Sequence, residues 1–251
     1  MPVETEARGR VLVVTIRREE KRNAIDQEIA DGISAALDHL DDEPELWVGV
    51  LTGTATVFSA GSDLASSRGG SAATDRGGEY GVIRRDRTKP LIAAVEGPAL
   101  GGGFEIVLAC DLVVAARDAS FGLPEVKRGL VPTCGGLFRT PRALPLNVAK
   151  EMLLTGDRLD PDRAYALGLV NVVAEPGGAV DAALALAERI CAVGPVGARA
   201  SLRALEATVA EQDGLGWEAT AVATDAISRS DDRREGVLAF FEKREPRWTG
   251  R

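Results

Sequence analysis

Glu105 and Glu125 are the residues of this chain best placed to do chemistry, and each follows a glycine-containing turn. Glu105 closes Gly97-Pro-Ala-Leu-Gly-Gly-Gly-Phe-Glu105, and Glu125 closes Phe121-Gly-Leu-Pro-Glu125. The triple glycine, Gly101-Gly102-Gly103, has no Cβ atoms, so its backbone can approach a ligand closely. It opens a helix-like run whose first N–H groups have no intrahelical partner. An anionic oxygen is favoured at such an end. Upstream, Phe58-Ser-Ala-Gly-Ser-Asp-Leu64 offers a second turn, where Gly61 permits a sharp bend and Ser62 presents a backbone N–H. Two carboxyl groups and two amide donors converging on a carbonyl could make and quench an enolate, the amides forming an oxyanion hole.

Plainer readings use the same residues. The triple glycine also fits a tight turn with close helix packing, and it is neither a P-loop nor a dinucleotide fingerprint. Both glutamates could be solvated or salt-bridged. Burial and mutual repulsion would raise their pKa values, while the helix end near Glu105 would lower its own. Sequence leaves that balance open. Ser62 has no identifiable base, so its hydroxyl is not read as a nucleophile. With His39 the only histidine, expected at an exposed helix end, a Ser-His-Asp hydrolase or a His-ligated zinc site is hard to assemble.

The elements that must position these groups follow a strand–helix–strand rhythm. Val11–Ile16, Leu46–Thr52, Pro90–Glu96 and Asp111–Ala116 read as buried strands. Asp26 can N-cap a helix carrying Ile29, Ile33, Leu37 and Leu40 on one face. The alternation predicts an α/β architecture with crossover connections. Residues 65–88, rich in Gly, Ser and charge, read as a mobile flap beside the substrate or as plain disorder. Beyond about residue 145 the chain turns helical. Asp160-Pro161 starts a helix that Gly168 ends, and amphipathic stretches cover 178–193, 196–212, 217–229 and 231–244. Their apolar stripes call for packing against other subunits or against one another.

Composition narrows the field. The 251 residues are 45% hydrophobic, enough for one large domain with a sizeable core or for a domain plus a small appendage. A formal net charge of −8 argues against a nucleic-acid backbone as partner. No apolar run has membrane-spanning length, and the first residues lack the pattern of a signal peptide, so a cytoplasmic location is expected. Cys110, Cys134 and Cys191 show no paired spacing and read as reduced, mostly buried thiols.

At these motifs the sequence resembles the crotonase family, the enoyl-CoA hydratases and isomerases. The likeness rests on Phe58–Leu64, on Lys89–Glu105, on Ala119–Pro132 and on Arg17-Arg-Glu-Glu-Lys-Arg-Asn-Ala-Ile25. It extends to Phe240–Arg244 and the ending Trp248-Thr-Gly-Arg251. The resemblance implies an α/β fold, a ββα spiral core (residues 1–195) with a C-terminal helical region (196–251) that builds trimers, often paired into hexamers. It implies an acyl-CoA thioester substrate and no metal or redox cofactor. It places the N–H groups of Ser62 and Gly102 on the thioester oxygen. Glu105 would activate water for attack on Cβ, and Glu125 would deliver a proton to Cα. Arg22, Ala24, Ala60, Asp63 and Leu64 would contact coenzyme A, and Phe240 and Lys243 would reach a neighbour's adenine and phosphates. Likeness extends to the enoyl-CoA hydratase and carnitinyl-CoA dehydratase branches alike. Ser62, where alanine is the commoner residue of straight-chain hydratases, points to an acyl group other than a short fatty chain. A non-catalytic acyl-CoA-binding protein is the alternative of another class.

Overall fold

The computed structural model describes residues 2–65 and 71–251, the side chain of Glu211 excepted. In chain order the elements are β1 (Val3–Arg8), β2 (Val11–Ile16), α1 (Gln27–Asp42), β3 (Val48–Thr52), β4 (Ala73–Thr74), β5 (Gly78–Glu79), β6 (Leu91–Val95), β7 (Pro98–Leu100), α2 (Gly102–Ala109), β8 (Leu112–Ala116) and β9 (Ser120–Gly122). A 3-10 turn (Pro124–Arg128) leads to α3 (Gly136–Ala143) and α4 (Leu146–Thr155). Then come β10 (Arg158–Leu159), α5 (Pro161–Ala166), β11 (Val172–Ala174), α6 (Ala179–Cys191), α7 (Pro195–Ser228) and α8 (Asp231–Glu242).

The expected buried strands pair as neighbours. A six-stranded sheet runs β1-β2-β3-β6-β8-β11, antiparallel between β1 and β2 and parallel elsewhere. Parallel strands covered on both faces are apolar throughout, which is why β3 and β6 read as continuous apolar runs. On one face α6 lays Ala179, Ala183 and Ala187 against Val13, Val50, Ile92 and Val114. Alanines four apart let the helix lie close to the sheet. On the other face α1 and α2 bury Ile29, Ile33, Leu37, Phe104 and Ile106. Asp26 caps α1 by accepting the Ile29 N–H, and Asp160 caps α5 through the Arg163 N–H, as their sequence positions predict. Buried Glu96 does the same for α6 from a distance. Its carboxylate takes the N–H groups of Gly177 (3.1 Å) and Ala179 (2.8 Å), where the N-cap residue Gly178 has no side chain to offer.

Three expectations are corrected. Within the expected flap, residues 71–88 are packed: β4 and β5 form a hairpin, and Tyr80, Val82 and Ile83 enter the core. The charge there is spent locally, since the buried Arg85 guanidinium is held by Asp38 (2.5 Å) and Asp41 (2.8 Å) of α1. Residues 66–70 of the same expectation lie outside the described residues. The stretches 196–212 and 217–229 are one 34-residue helix, α7. Gly216 does not break it, because that glycine is where Phe138 presses on the helix: a Cβ there would overlap the ring. Residues after 145 also contribute β10 and β11, two short strands that the helical reading passed over. Among the described residues no helix is long and apolar enough to cross a membrane.

Candidate active site

Three chain segments leave the same end of a second, three-stranded sheet (β10-β9-β7) side by side, and this brings the candidate residues together. β7 and β9 are parallel, with Leu100 opposite Gly122, so Gly101 and the Pro124-Glu125 turn emerge from the same end. Ser59 bridges to Ala99 in the same direction, and the Leu100 N–H donates to the Ser59 carbonyl at 2.9 Å. The segment 59–62 therefore runs alongside as a third ribbon. Buried Asn23, in the left-handed conformation at φ 52°, ties that ribbon down by donating to the carbonyls of Val57 and Phe58.

Each glycine of the triplet is required for a different reason. Gly101 sits at φ 56°, ψ −127°, a conformation natural only to glycine. Gly102 faces Tyr80, and Gly103 faces the Ser59 carbonyl; a Cβ at either would overlap those atoms. The Gly102 N–H begins α2 and has no acceptor among the described residues. Ser62 is the middle of a parallel bridge to Ile25: the Ile25 N–H donates to Gly61 (2.7 Å), and the Asp63 N–H donates to Ile25 (2.9 Å). That alternation turns the Ser62 N–H away from Ile25, and it too has no acceptor there. An ideal Cβ on Gly61 would lie 2.7 Å from the Gly102 nitrogen, so the two donor-bearing turns are in contact.

The carboxyl groups differ in their surroundings. Glu105 is 2% exposed, and its Oε1 accepts the N–H groups of Cys134 (2.7 Å) and Gly136 (2.9 Å) where α3 begins. Glu125 is half-buried on the 3-10 turn, but its Oε2 is fully covered and has no partner. Burial is the largest effect on both pKa values and moves both well above the ordinary carboxylate range. For Glu105 the two backbone donors oppose that shift. For Glu125 the nearby Glu105 adds to it, and Arg128 offsets only part. The two side chains act as one coupled pair that binds protons more tightly than free carboxylates do. Burial thus outweighs the helix end at Glu105, a balance the sequence left open.

A stability prediction follows from that direction. A carboxyl group whose folded pKa lies above its unfolded value stabilises the fold below the unfolded pKa, and that contribution is lost as pH rises through the folded pKa. Glu125→Gln is therefore expected to leave the melting temperature unchanged in acid. It should raise it by at least about 2–4 °C at alkaline pH, the equivalent of ~1 kcal/mol in a domain this size. A melting series across pH checks this; a gain that is flat with pH would contradict it.

Glu105, Glu125, Ser62 and Gly102 all line one cavity of about 1100 Å³. This is large against the roughly 300–1,000 Å³ usual for small-molecule sites, and suits a long ligand. Its far wall is built by α7 and α8, through residues such as Thr224, Arg233 and Phe241. Ala60 and Leu64 line it too. Arg22 and Ala24 are not among its lining residues; they sit in the turn after β2, where the Arg22 carbonyl accepts the Ala60 N–H. Asp63 is engaged by Arg18 at 3.0 Å. Phe240 and Lys243 line a separate groove of about 480 Å³ with Lys127 and Trp248. Arg128 borders both, its guanidinium 4.5 Å from the Phe240 ring centre. The sequence reading missed Tyr80, Cys134 and Gly136. The pair Gly135-Gly136 opening a helix was the one available signal for the last.

The enoyl-CoA hydratase/isomerase family model matches residues 6–251. The chain belongs to this family, the crotonases. An enoyl-CoA hydratase of Mycobacterium tuberculosis is 37% identical over 98% of this chain and 96% of the relative. A carnitinyl-CoA dehydratase of Salmonella paratyphi A is 38% identical, covering 97% and 96%. The crystal structure of a carnitinyl-CoA hydratase from Mycobacterium avium superposes with a TM-score of 0.93 at 42% identity, covering 100% of this chain and 99% of that one. The crotonase fold read from the motifs is thus borne out over the whole length. Three of the motifs that carry the resemblance, Phe58–Leu64, Lys89–Glu105 and Ala119–Pro132, supply the ribbons that meet at the cavity.

Proposed function

We propose that this crotonase is an enoyl-CoA hydratase, adding water reversibly across the Cα–Cβ double bond of a 2-enoyl-CoA thioester. The observation that carries the reading is the convergence of two unlike carboxyl groups and two free backbone donors in one cavity. Glu105, with two N–H groups on one oxygen, is the better anion; Glu125, with a covered oxygen and no donor, is the better acid. Water held between them loses its proton to the Glu105 carboxylate as its oxygen bonds to Cβ. The π electrons move onto the thioester oxygen, where the N–H groups of Ser62 and Gly102 stabilise the enolate. Glu125 then protonates Cα, and dehydration reverses each step. The path needs no metal or redox group, and coenzyme A enters only as part of the substrate.

Arg22, Ala24, Ala60, Asp63 and Leu64 stand on the coenzyme A side in this reading, with Phe240 and Lys243 serving a neighbouring subunit. Exposed Leu205, Leu215 and Val222 on α7 support a trimer or hexamer, which a solution mass measurement would identify. A second reading, carnitinyl-CoA dehydratase-like activity, is favoured by the relatives of that name and by the hydroxyls of Ser62, Ser71, Tyr80 and Thr133 lining the cavity.

Incubation with a panel of 2-enoyl-CoA thioesters, read by mass spectrometry, tests the function. The expected product is heavier by one water. Binding without turnover across the panel would instead make this a non-catalytic acyl-CoA-binding protein. Ser62→Ala is expected to keep kcat within about tenfold, since the backbone donor remains; loss of all activity would favour a serine nucleophile.

A further inference from the structure

The oxyanion site has a third contributor that neither the motifs nor the two N–H groups reveal. Tyr80, 2% exposed, reaches the cavity from the packed half of the segment 71–88. Its hydroxyl lies 2.7 Å from Ser62 Oγ and 3.3 Å from Ser71 Oγ. The end of its ring lies against Gly102: a Cβ on that glycine would overlap the hydroxyl and lie 2.6 Å from Cζ and 2.8 Å from Cε2. One side chain thus touches both residues that carry the free donors. Among the described residues Ser62 Oγ has no other hydrogen-bond partner.

We propose that Tyr80 is a positioning residue, its hydroxyl fixing the Ser62 turn against the start of α2 so that two N–H groups aim at one oxygen. This rests on the oxyanion reading of Ser62 and Gly102 given above. The anchoring is rigid at the other end too, because Tyr80 packs in the main core and its N–H donates to the Ala72 carbonyl at 2.7 Å. The chain of contacts continues from Ser71 Oγ to Cys134 Sγ at 3.2 Å, and the Cys134 N–H holds Glu105. Tyr80 therefore ties the oxyanion turn to the segment that orients the catalytic base. Burial holds its phenol well above the usual range, so the hydroxyl stays protonated and neutral throughout the working pH range.

The role is separable from mere packing. An oxyanion donor acts on charge that appears only in the transition state, so a mispositioned donor lowers kcat and leaves KM nearly unchanged. Tyr80→Phe keeps the ring and removes the hydroxyl; it is expected to lower kcat about 5–10-fold. Ser62→Ala removes the other end of the same contact and should have a similar effect. The double variant should be no worse than either single, since all three lack one interaction.

The deciding measurement uses acetoacetyl-CoA as probe, whose bound enolate forms by loss of the Cα proton to solvent and is seen by its near-ultraviolet absorbance. On the wild type the enolate should appear at lower pH than for the free thioester. Tyr80→Phe, Ser62→Ala and the double variant should all shift that titration upward by a common amount. A Tyr80→Phe titration identical to wild type, or a double-variant shift equal to the sum of the singles, overturns the proposal and leaves the hydratase reading standing. Failure of the wild type to bind the probe or shift its titration overturns the oxyanion reading and the proposal with it. Should Tyr80→Phe not fold, Ser62→Ala decides alone: an unshifted titration overturns the proposal.

Discussion

Glu105→Gln and Glu125→Gln are each expected to lower kcat for hydration by about 10²–10⁴-fold, with much smaller changes in KM. Neither carboxyl group is expected to bind the coenzyme A portion, so truncating its charge should leave ground-state affinity largely intact. What is lost is proton transfer in the transition state. The two variants should differ in their pH dependence. On the proposed path the wild type needs Glu105 unprotonated and Glu125 protonated, so its rate should fall in acid as the first gains a proton and in base as the second loses one. Burial has moved both steps upward, which puts the optimum nearer neutrality than unperturbed carboxylates would allow. Because the pair is coupled, the limbs of the wild-type profile belong to both groups together. In Glu105→Gln the remaining Glu125 should titrate lower, freed of its neighbour's charge. Stopped-time assays of kcat across pH check this. Either variant retaining activity within tenfold of wild type would remove the two-carboxylate path.

How much of this was legible beforehand depended on the range of the interaction. The strands and the caps at Asp26 and Asp160 are local, set by β-branched runs and by hydrogen bonds spanning three residues, and they could be read directly. The candidate acids and glycine turns could be read because the motifs carry a family resemblance. Their convergence could not be derived from spacing. It arises from parallel pairing of β7 with β9 and a single bridge from Ser59 to Ala99, contacts that sequence order does not specify.

The misreadings have the same origin. Residues 71–88 look like a loop by composition, yet Tyr80, Val82 and Ile83 outweigh the glycines once α1 supplies Asp38 and Asp41 for Arg85. Gly216 looks like a break in a helix, yet it is the notch that admits Phe138, with Trp217 in edge contact at 4.9 Å. Glu96 and Glu105 are both buried glutamates accepting two backbone N–H groups each. Only the cavity distinguishes the one that caps a helix from the one placed to act on a substrate. Burial and hydrogen bonding alone do not mark a catalytic acid.

Gly102→Ala should be as damaging as losing a carboxyl group's function, with a loss in kcat of about 10²–10³-fold, although it adds only one methyl group. The position is not conformationally special; the φ that only glycine tolerates belongs to Gly101. The obstacle is Tyr80. The methyl carbon would overlap its hydroxyl and sit 2.6 Å from Cζ, and this is not the loose end of a flexible chain. Tyr80 is buried in the core and its hydroxyl is held by Ser62. Something must move, and a shift at the start of α2 carries with it the first N–H, the proposed oxyanion donor. Displacing it by even about 1 Å takes the N–H out of reach of the thioester oxygen, where such a misplacement can cost about 10²-fold. Glu105, three residues further along the same helix, would shift with it. Steady-state kinetics beside a melting curve separates the outcomes: the variant should remain folded and bind acyl-CoA while turning over slowly. A Gly102→Ala enzyme within tenfold of wild type would mean that the donor at the start of α2 does not carry the enolate charge.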